Sequence, residues 1–386
     1  MCDTFAAVGP SGAVFAKNSD RVPGEAQVVE WHPPRSPGSV RTQYLELADP
    51  GACGTVLSRP TWLWGAEHGV NEHGLTVGNE RVWSRDLGRP PRLIGMDLVR
   101  LVLERATDAD EGLDVLVALL EEHGQGGTCD AGHDDPYDSS FLICDARGGW
   151  IVETSGREWV AAPFTDHAAI SNRYTLGTRW TRAAATVGPG TSADDWHESS
   201  VDTRLADHRL AVTAACATAG PDPREVVATL RHHGTAPWGA PGRGDAPVPP
   251  PTELGDDFSG FTVCAHIPGI QATTASMVCA LPRGDEPARA WACLGSPCCG
   301  LFLPLRVGAV PAFLSDPAQW HRTTTLRDRV EADGATLAEI RTVLDPVEDE
   351  IWAEADALAE AAPAVWRRFA DDASTRADAA LTALGV

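Results

Sequence analysis

The chain has 386 residues, 43% of them hydrophobic, enough for one large core or two domains, and a formal net charge of −23. With no basic stretch to offset it, that charge excludes nucleic acid and anionic membrane surfaces as partners. No apolar run reaches the roughly 18 residues that a bilayer span needs, and the N-terminus lacks a basic segment followed by an apolar one, so a cytoplasmic protein is expected.

The first feature in chain order is Met1-Cys2. Methionine aminopeptidases remove Met before a small residue, so the mature chain is expected to begin at Cys2, with a thiol and a free α-amine on one residue. An amine with a reference pKa of roughly 7.7–8.0 can take the proton of a thiol at about 8.5, so nucleophile and base come from a single side chain and its own backbone. Residues 3–9 and 13–17 flank Pro10-Ser11-Gly12, a turn signal between two short apolar runs, and read as a hairpin. If Gly9 pairs with Gly12, Cys2 falls opposite Ser19, beside Lys17, Asn18 and Asp20. Lys17 is the only lysine among 31 Lys and Arg residues. In a composition that uses Arg wherever Arg will serve, a retained lysine points to a need for a compact, titratable ammonium. Asparagine is equally scarce and occurs only at Asn18, Asn71, Asn79 and Asn172.

Further strands are expected at 55–58, 75–79, 141–145, 150–153 and 168–171, and later at 262–266, 274–280 and 290–294. Helices are expected over 93–106 and over 110–122, the latter capped by Thr107 and stopped by Gly124, then over 201–219 and 223–232. Strands before and after a helix pair predict sheet and helix layers packed on one another. The Gly-, Pro- and Asp-rich stretch 234–256 reads as a long loop, and from about Leu326 the chain turns acidic, Ala-rich and helical.

Read in order, several blocks form one pattern: Cys2-Asp3-Thr4-Phe5, Ala16-Lys17-Asn18-Ser19-Asp20-Arg21, the run from Ser58 to Glu67, Asn71-Glu72-His73-Gly74-Leu75 and Gly78-Asn79-Glu80. Ser139-Ser140-Phe141-Leu142, Val152-Glu153-Thr154, Ile170-Ser171-Asn172-Arg173 and Thr273-Thr274-Ala275-Ser276-Met277 continue it. Over roughly residues 2–310 the chain resembles the secernin and C69 dipeptidase family of N-terminal nucleophile hydrolases, relatives of choloylglycine hydrolases and penicillin V acylases. The resemblance implies an α+β fold, a four-layer αββα sandwich, here with a catalytic domain over 2–320 and an acidic helical extension over 321–386 packed on it. It implies Cys2 as the nucleophile with its own α-amine as base, Asp20 holding that amine, Lys17 favouring the thiolate, and Asn79 and Asn172 forming the oxyanion hole. Only Met1 precedes Cys2, so activation is expected to need no self-cleavage. The second basic residue that choloylglycine hydrolases place near the site has no assignable counterpart. Arg173 is a candidate for binding a substrate carboxylate.

Other residues weigh differently. Trp62 and Trp64 stand at i and i+2 and share a face if the segment is extended, as core or as pocket lining. His68, His73, His133 and His232-His233 show no metal-ligand spacing and read as turn and surface residues; no metal or cofactor is called for. The ten cysteines show no CxxC pair and read mostly as free buried thiols, with Cys298-Cys299 a candidate redox or ligand-lining pair. The expected function is that of a cysteine amidohydrolase acting on a small peptide or amide, foremost a dipeptidase. The alternatives are a specialised amidase or acyl transferase of a secondary metabolite, and a non-catalytic secernin-like interaction protein. Homo-oligomer formation is left open.

Overall fold

The computed structural model describes residues 1–86, 88–132, 134–220, 222–233, 258, 261–284 and 286–386. His133 and the expected 234–256 loop lie outside the described residues. Two antiparallel sheets form the centre. The first runs in the order His167–Ile170, Cys2–Gly9, Gly12–Arg21, Gln271–Pro282, Arg289–Leu294, Leu303–Leu305, with His266–Ile267 also on Gln271–Pro282. The second runs Arg182–Ala183, Glu158–Phe164, Gly148–Ser155, Asp138–Asp145, Thr76–Val82, His68–Asn71, Thr55–Pro60, Gln27–His32.

Strands Cys2–Gly9 (β1) and Gly12–Arg21 (β2) pair in the expected register, with Gly9 opposite Gly12 and Cys2 opposite Ser19. Because side chains alternate along a strand, this register sends Cys2, Thr4, Ala6, Phe15, Lys17 and Ser19 to one face and Asp3, Phe5, Ala16, Asn18 and Asp20 to the other. Ala6 and Phe15 pack with Val56, Val70, Leu142 and Met277 in an apolar cluster between the sheets. Phe5 and Ala16 pack instead with Val226, Val227 and Leu230 of helix Pro223–Leu230. Cys2 and Lys17 therefore point toward the second sheet.

Helices Gly95–Arg105 and Ala109–His123 lay Leu98, Leu101, Val102, Leu113, Leu116 and Leu120 on Val77, Phe141 and Ile143 of the second sheet. Ala109–His123 is capped by Asp108, whose side chain accepts from Glu111 N–H, rather than by the expected Thr107, whose N–H and hydroxyl instead donate to the Glu111 carboxylate at 2.8 Å. Its far end stops at Gly124 with φ 73°, a backbone that glycine adopts without strain. Of the strand expected over 262–266, only His266–Ile267 forms, because Cys264 and Ala265 spend their N–H groups on His232 O and Thr273 Oγ1 instead of a ladder. Strand Gln271–Pro282 carries a bulge at Thr274, between the Thr273–Asp20 and Ala275–Ser19 pairs.

The C-terminal region is helical, as Pro317–Ala332, Thr336–Ala357 and Pro363–Ala383. Trp320, Leu344, Ile351 and Trp366 belong to the same buried cluster as Phe15 and Met277. A buried ion pair, Arg231–Glu348 at 2.7 Å, ties Thr336–Ala357 down, and Glu348 also accepts from Phe302 N–H. Among the described residues no helix is long and apolar enough to cross a membrane.

The hairpin turn depends on Gly12, which sits at φ 147°, where a Cβ would lie 2.0 Å from Leu281 O. Gly12→Val is expected to lower stability by more than about 2 kcal/mol, read as a fall in the urea midpoint by circular dichroism; an unchanged midpoint would show that the turn does not control pairing with Gln271–Pro282.

Candidate active site

At the start of β1, Cys2 is buried, and its sulfur accepts from Asp20 N–H at 3.3 Å. The Cys2 backbone N–H donates to Asn172 Oδ1 at 2.7 Å, and the Met1 amine donates to Gln271 Oε1 at 2.6 Å and to Asp20 O at 3.3 Å. With Met1 attached, burial pushes the Cys2 thiol up to about 12, against the opposing pull of Lys17.

Lys17 stands diagonal to Cys2 on the same face of the hairpin. Its ammonium is wholly buried; it donates to Asn79 O at 2.6 Å and lies 3.1 Å from the Glu80 carboxylate, which also binds the Thr4 hydroxyl. Burial alone would lower its pKa, but Cys2, Glu80 and Glu67 outweigh that and raise it, so Lys17 is a cation throughout the neutral range. Glu80 is lifted to about 7 by burial in spite of Lys17.

Asp20 points to the helix-covered face, where Thr273 Oγ1 donates to its Oδ1 at 2.6 Å and its Oδ2 has no hydrogen-bond partner among the described residues. Burial raises it to about 6 against the pull of the N-terminal amine and Arg209. The Thr274 bulge sets Thr273 beside Asp20, a local re-aiming that bulges commonly provide next to active sites.

Asn172 follows strand His167–Ile170, and its loop is anchored by Glu153, which accepts from Thr175 N–H at 2.5 Å and from Leu176 N–H at 3.2 Å. Its oxygen takes Cys2 N–H and the Arg209 guanidinium, and its amide nitrogen donates to Arg81 O at 3.0 Å, a set of partners that fixes which way the amide faces. Among the described residues one hydrogen on Nδ2 is left for another acceptor. Asn79 spends its backbone N–H on Glu67 O and its side-chain amide on Ser139 Oγ at 3.2 Å. Gly95 permits this approach, since a Cβ there would lie 2.0 Å from Ser139 Oγ and 2.8 Å from Asn79 Nδ2.

A second buried cation beside Cys2 is Arg209, on helix Arg204–Ala219. Its buried guanidinium donates to Cys2 O at 3.1 Å, Asp3 Oδ2 at 2.8 Å and Asn172 Oδ1 at 2.9 Å. Nothing local distinguishes it from the other arginines, so no sequence signal could have found it. Arg173, the candidate carboxylate ligand, is paired with Asp207 of the same helix. Burial lowers the pKa of the Met1 amine, with Arg209 and then Arg81 adding to it; Arg81 is 17% exposed, with its guanidinium 2.5 Å from Asp135.

The two tryptophans part company, because 61–65 is a turn rather than an extended run. Trp62 packs near Ile94, Met96 and Tyr137, and Met96 touches Asn79; Trp64 stacks under the Arg100 guanidinium at 4.3 Å, away from the thiol. Of the histidines expected at turns and surfaces, His73 is exposed, but His68, His232 and His233 are buried, because the chain carries them into the strand His68–Asn71 and beneath the helix Pro223–Leu230.

No protein-family model matches the chain. Among solved structures the chain is similar to a mutant conjugated bile acid hydrolase from Clostridium perfringens, with 12% identity, 76% of this chain and 88% of that chain covered, and TM-score 0.43. It is also similar to penicillin V acylase from Agrobacterium tumefaciens, with 16% identity, coverage of 80% and 87%, and TM-score 0.44. The corresponding figures for an N-acylethanolamine-hydrolyzing acid amidase ortholog of Caenorhabditis elegans are 10% identity, coverage of 45% and 71%, and TM-score 0.29. What the Cys2 site can do rests on its own residues.

Two outcomes are expected. Lys17→Met breaks a buried ion pair and should cost about 3–5 kcal/mol, whereas Lys17→Met with Glu80→Gln should recover most of that in urea melts; equal instability of the two would show that Glu80 is not the partner left stranded. Iodoacetamide at neutral pH should alkylate Cys2 far more slowly in chains that retain Met1 than in chains that have lost it, as read by peptide mass mapping, because the buried thiol of the former is neutral. Equal rates would mean that the Cys2 amine does not activate its thiol.

Proposed function

We propose that this chain is an N-terminal-cysteine amidohydrolase of the secernin and C69 type that cleaves short peptides in the cytoplasm, foremost dipeptides. In this reading residues 2–320 form a four-layer αββα catalytic domain and 321–386 a helical extension. The observation that carries it is the junction at Cys2, where one residue offers a sulfur 3.3 Å from Asp20 N–H and a backbone nitrogen 2.7 Å from Asn172 Oδ1.

Removal of Met1 turns that nitrogen into an α-amine beside Asp20. The amine takes the Sγ proton, and Asp20 N–H and the Lys17 ammonium stabilise the resulting thiolate. Attack on a carbonyl carbon places negative charge on its oxygen, for which the second hydrogen of Asn172 Nδ2 is a donor, whereas the Asn79 amide is engaged by Ser139 and Met96. The α-ammonium then protonates the departing amine, and water, deprotonated by the same amine, cleaves the thioester.

A dipeptide is favoured by what Met1 vacates. Gln271 Oε1 and Asp20 O accept from the Met1 amine, and the same two acceptors suit the free ammonium of a substrate. A substrate carboxylate would have to displace Asp207 from Arg173 or Asp135 from Arg81.

The test is mass spectrometry of a library of free and N-acetylated dipeptides incubated with the purified chain and with Cys2→Ala. The expected result is cleavage of free dipeptides by the wild type alone, with rates at least about a hundredfold down in Lys17→Met/Glu80→Gln. Preference for N-acetylated members would favour the amidase reading, product only on adding an acceptor amine would favour acyl transfer, and no turnover by chains shown to lack Met1 would favour the interaction protein.

A further inference from the structure

A second cluster of reactive side chains lies beneath the first sheet, apart from the thiol of Cys2. His233 follows helix Pro223–Leu230, Cys264 and His266 bracket Ala265, and Cys298 lies in the short 3-10 turn Pro297–Cys299. All four are buried, and one ligand atom from each, a sulfur or a ring nitrogen, lies within 4.8 Å of every other. His266 Nε2 is 3.4 Å from Cys264 Sγ and 3.3 Å from Cys298 Sγ. Bonds of about 2.3 Å to sulfur and 2.0–2.1 Å to nitrogen around a tetrahedral zinc require edges of roughly 3.4–3.8 Å between ligand atoms, so these two edges are nearly in place.

The surroundings fit the same ion. His266 Nδ1 lies 3.0 Å from Glu331 Oε1 on helix Pro317–Ala332, the carboxylate–histidine pairing that orients a metal-binding imidazole and leaves Nε2 turned to the metal. The His233 and His266 rings meet edge to face with centroids 5.2 Å apart, so both approach one point without overlap. Two thiolates neutralise a dication in this buried position, and two thiolates with two imidazoles are the donor set of structural zinc. A Cys264–Cys298 disulfide is the competing use of the sulfurs, and it leaves the paired His266 and Glu331 without a purpose.

We infer that His233, Cys264, His266 and Cys298 form a structural zinc site. Binding forms two Zn–S and two Zn–N bonds and releases the two thiol protons to solvent. It joins three stretches of chain distant in sequence. It also steadies Asp20, because Ala265, held between two ligands, donates its N–H to Thr273 Oγ1 at 2.9 Å, and that hydroxyl donates to Asp20. Cys298, rather than the Cys298-Cys299 pair, is the ligand.

The experiment uses the full chain purified without a polyhistidine tag. Zinc is measured by mass spectrometry in the wild type, Cys2→Ala, Cys298→Ser and His266→Gln, and Co²⁺ is titrated into chelator-stripped, reduced wild type. About one zinc per chain is expected in the wild type and Cys2→Ala, with a loss of roughly tenfold or more in the other two. Cobalt should give thiolate charge-transfer absorption and the intense visible bands of a tetrahedral ion, a readout that decides the matter even if the variants fail to fold. Folded wild type that takes up less than about a tenth of an equivalent of either metal overturns the site. So does a Cys264–Cys298 disulfide in the purified chain, or metal that persists in Cys298→Ser and vanishes in Cys2→Ala.

Discussion

A lysine ammonium cut off from water must be surrounded by acceptors before the chain can close over it, and Lys17 finds them on both sheets. Its own strand is β2, its carbonyl partner Asn79 and its carboxylate partner Glu80 belong to Thr76–Val82, and Thr4 of β1 closes the group by donating to Glu80. Any slip of Thr76–Val82 against the hairpin would strand a buried charge, so this contact sets how the two sheets face each other. It also requires Gly78, where a Cβ would lie 2.9 Å from Lys17 Cδ and 3.1 Å from Thr4 Oγ1.

On the opposite face of the hairpin a second cation does related work. Arg209 ties the Cys2 carbonyl, Asp3 and Asn172 together, while Ser171 donates to Asp3 at 2.7 Å. A third, Arg21, joins β2 to Glu67 at 2.5 Å and to Asp130 at 3.0 Å. Each guanidinium or ammonium offsets the desolvation of carboxylates that could not otherwise be buried, and together they surround a thiol whose own burial opposes ionisation. A sulfur hidden from water becomes a usable nucleophile only in a field of this sign.

How much of this was legible in the sequence depended on how local each interaction is. The hairpin, its register and the placement of Lys17 and Asp20 follow from a turn and two short strands, and strand pairing is strict because a one-residue slip turns every side chain over. The helices over 95–105 and 109–123 were visible in their apolar spacing, although the cap fell on Asp108 instead of Thr107. Arg209 and Gln271 were not visible as site residues, because they reach Cys2 and Met1 across some 200 residues or more of chain and carry no local signature, and Thr273, though it stands in a quoted block, had nothing local to tie it to Asp20. His233 misled for the same reason: it meets Cys264, His266 and Cys298 only once the sheet has formed.

The motif blocks themselves divide by physical task. Asn71 does not touch the thiol; its side-chain nitrogen donates to Leu103 O at 3.0 Å and Ala106 O at 2.7 Å, and its oxygen accepts from His73 and Leu75 N–H. It thereby satisfies carbonyls at the end of helix Gly95–Arg105, whose other end brings Gly95 against Asn79. Glu153 likewise works one step away, through the loop that carries Asn172. Scarce polar residues in this chain are thus of two kinds, those that meet Cys2 and those that hold the elements which do. Rarity in the composition marks both equally, and only the distances separate them.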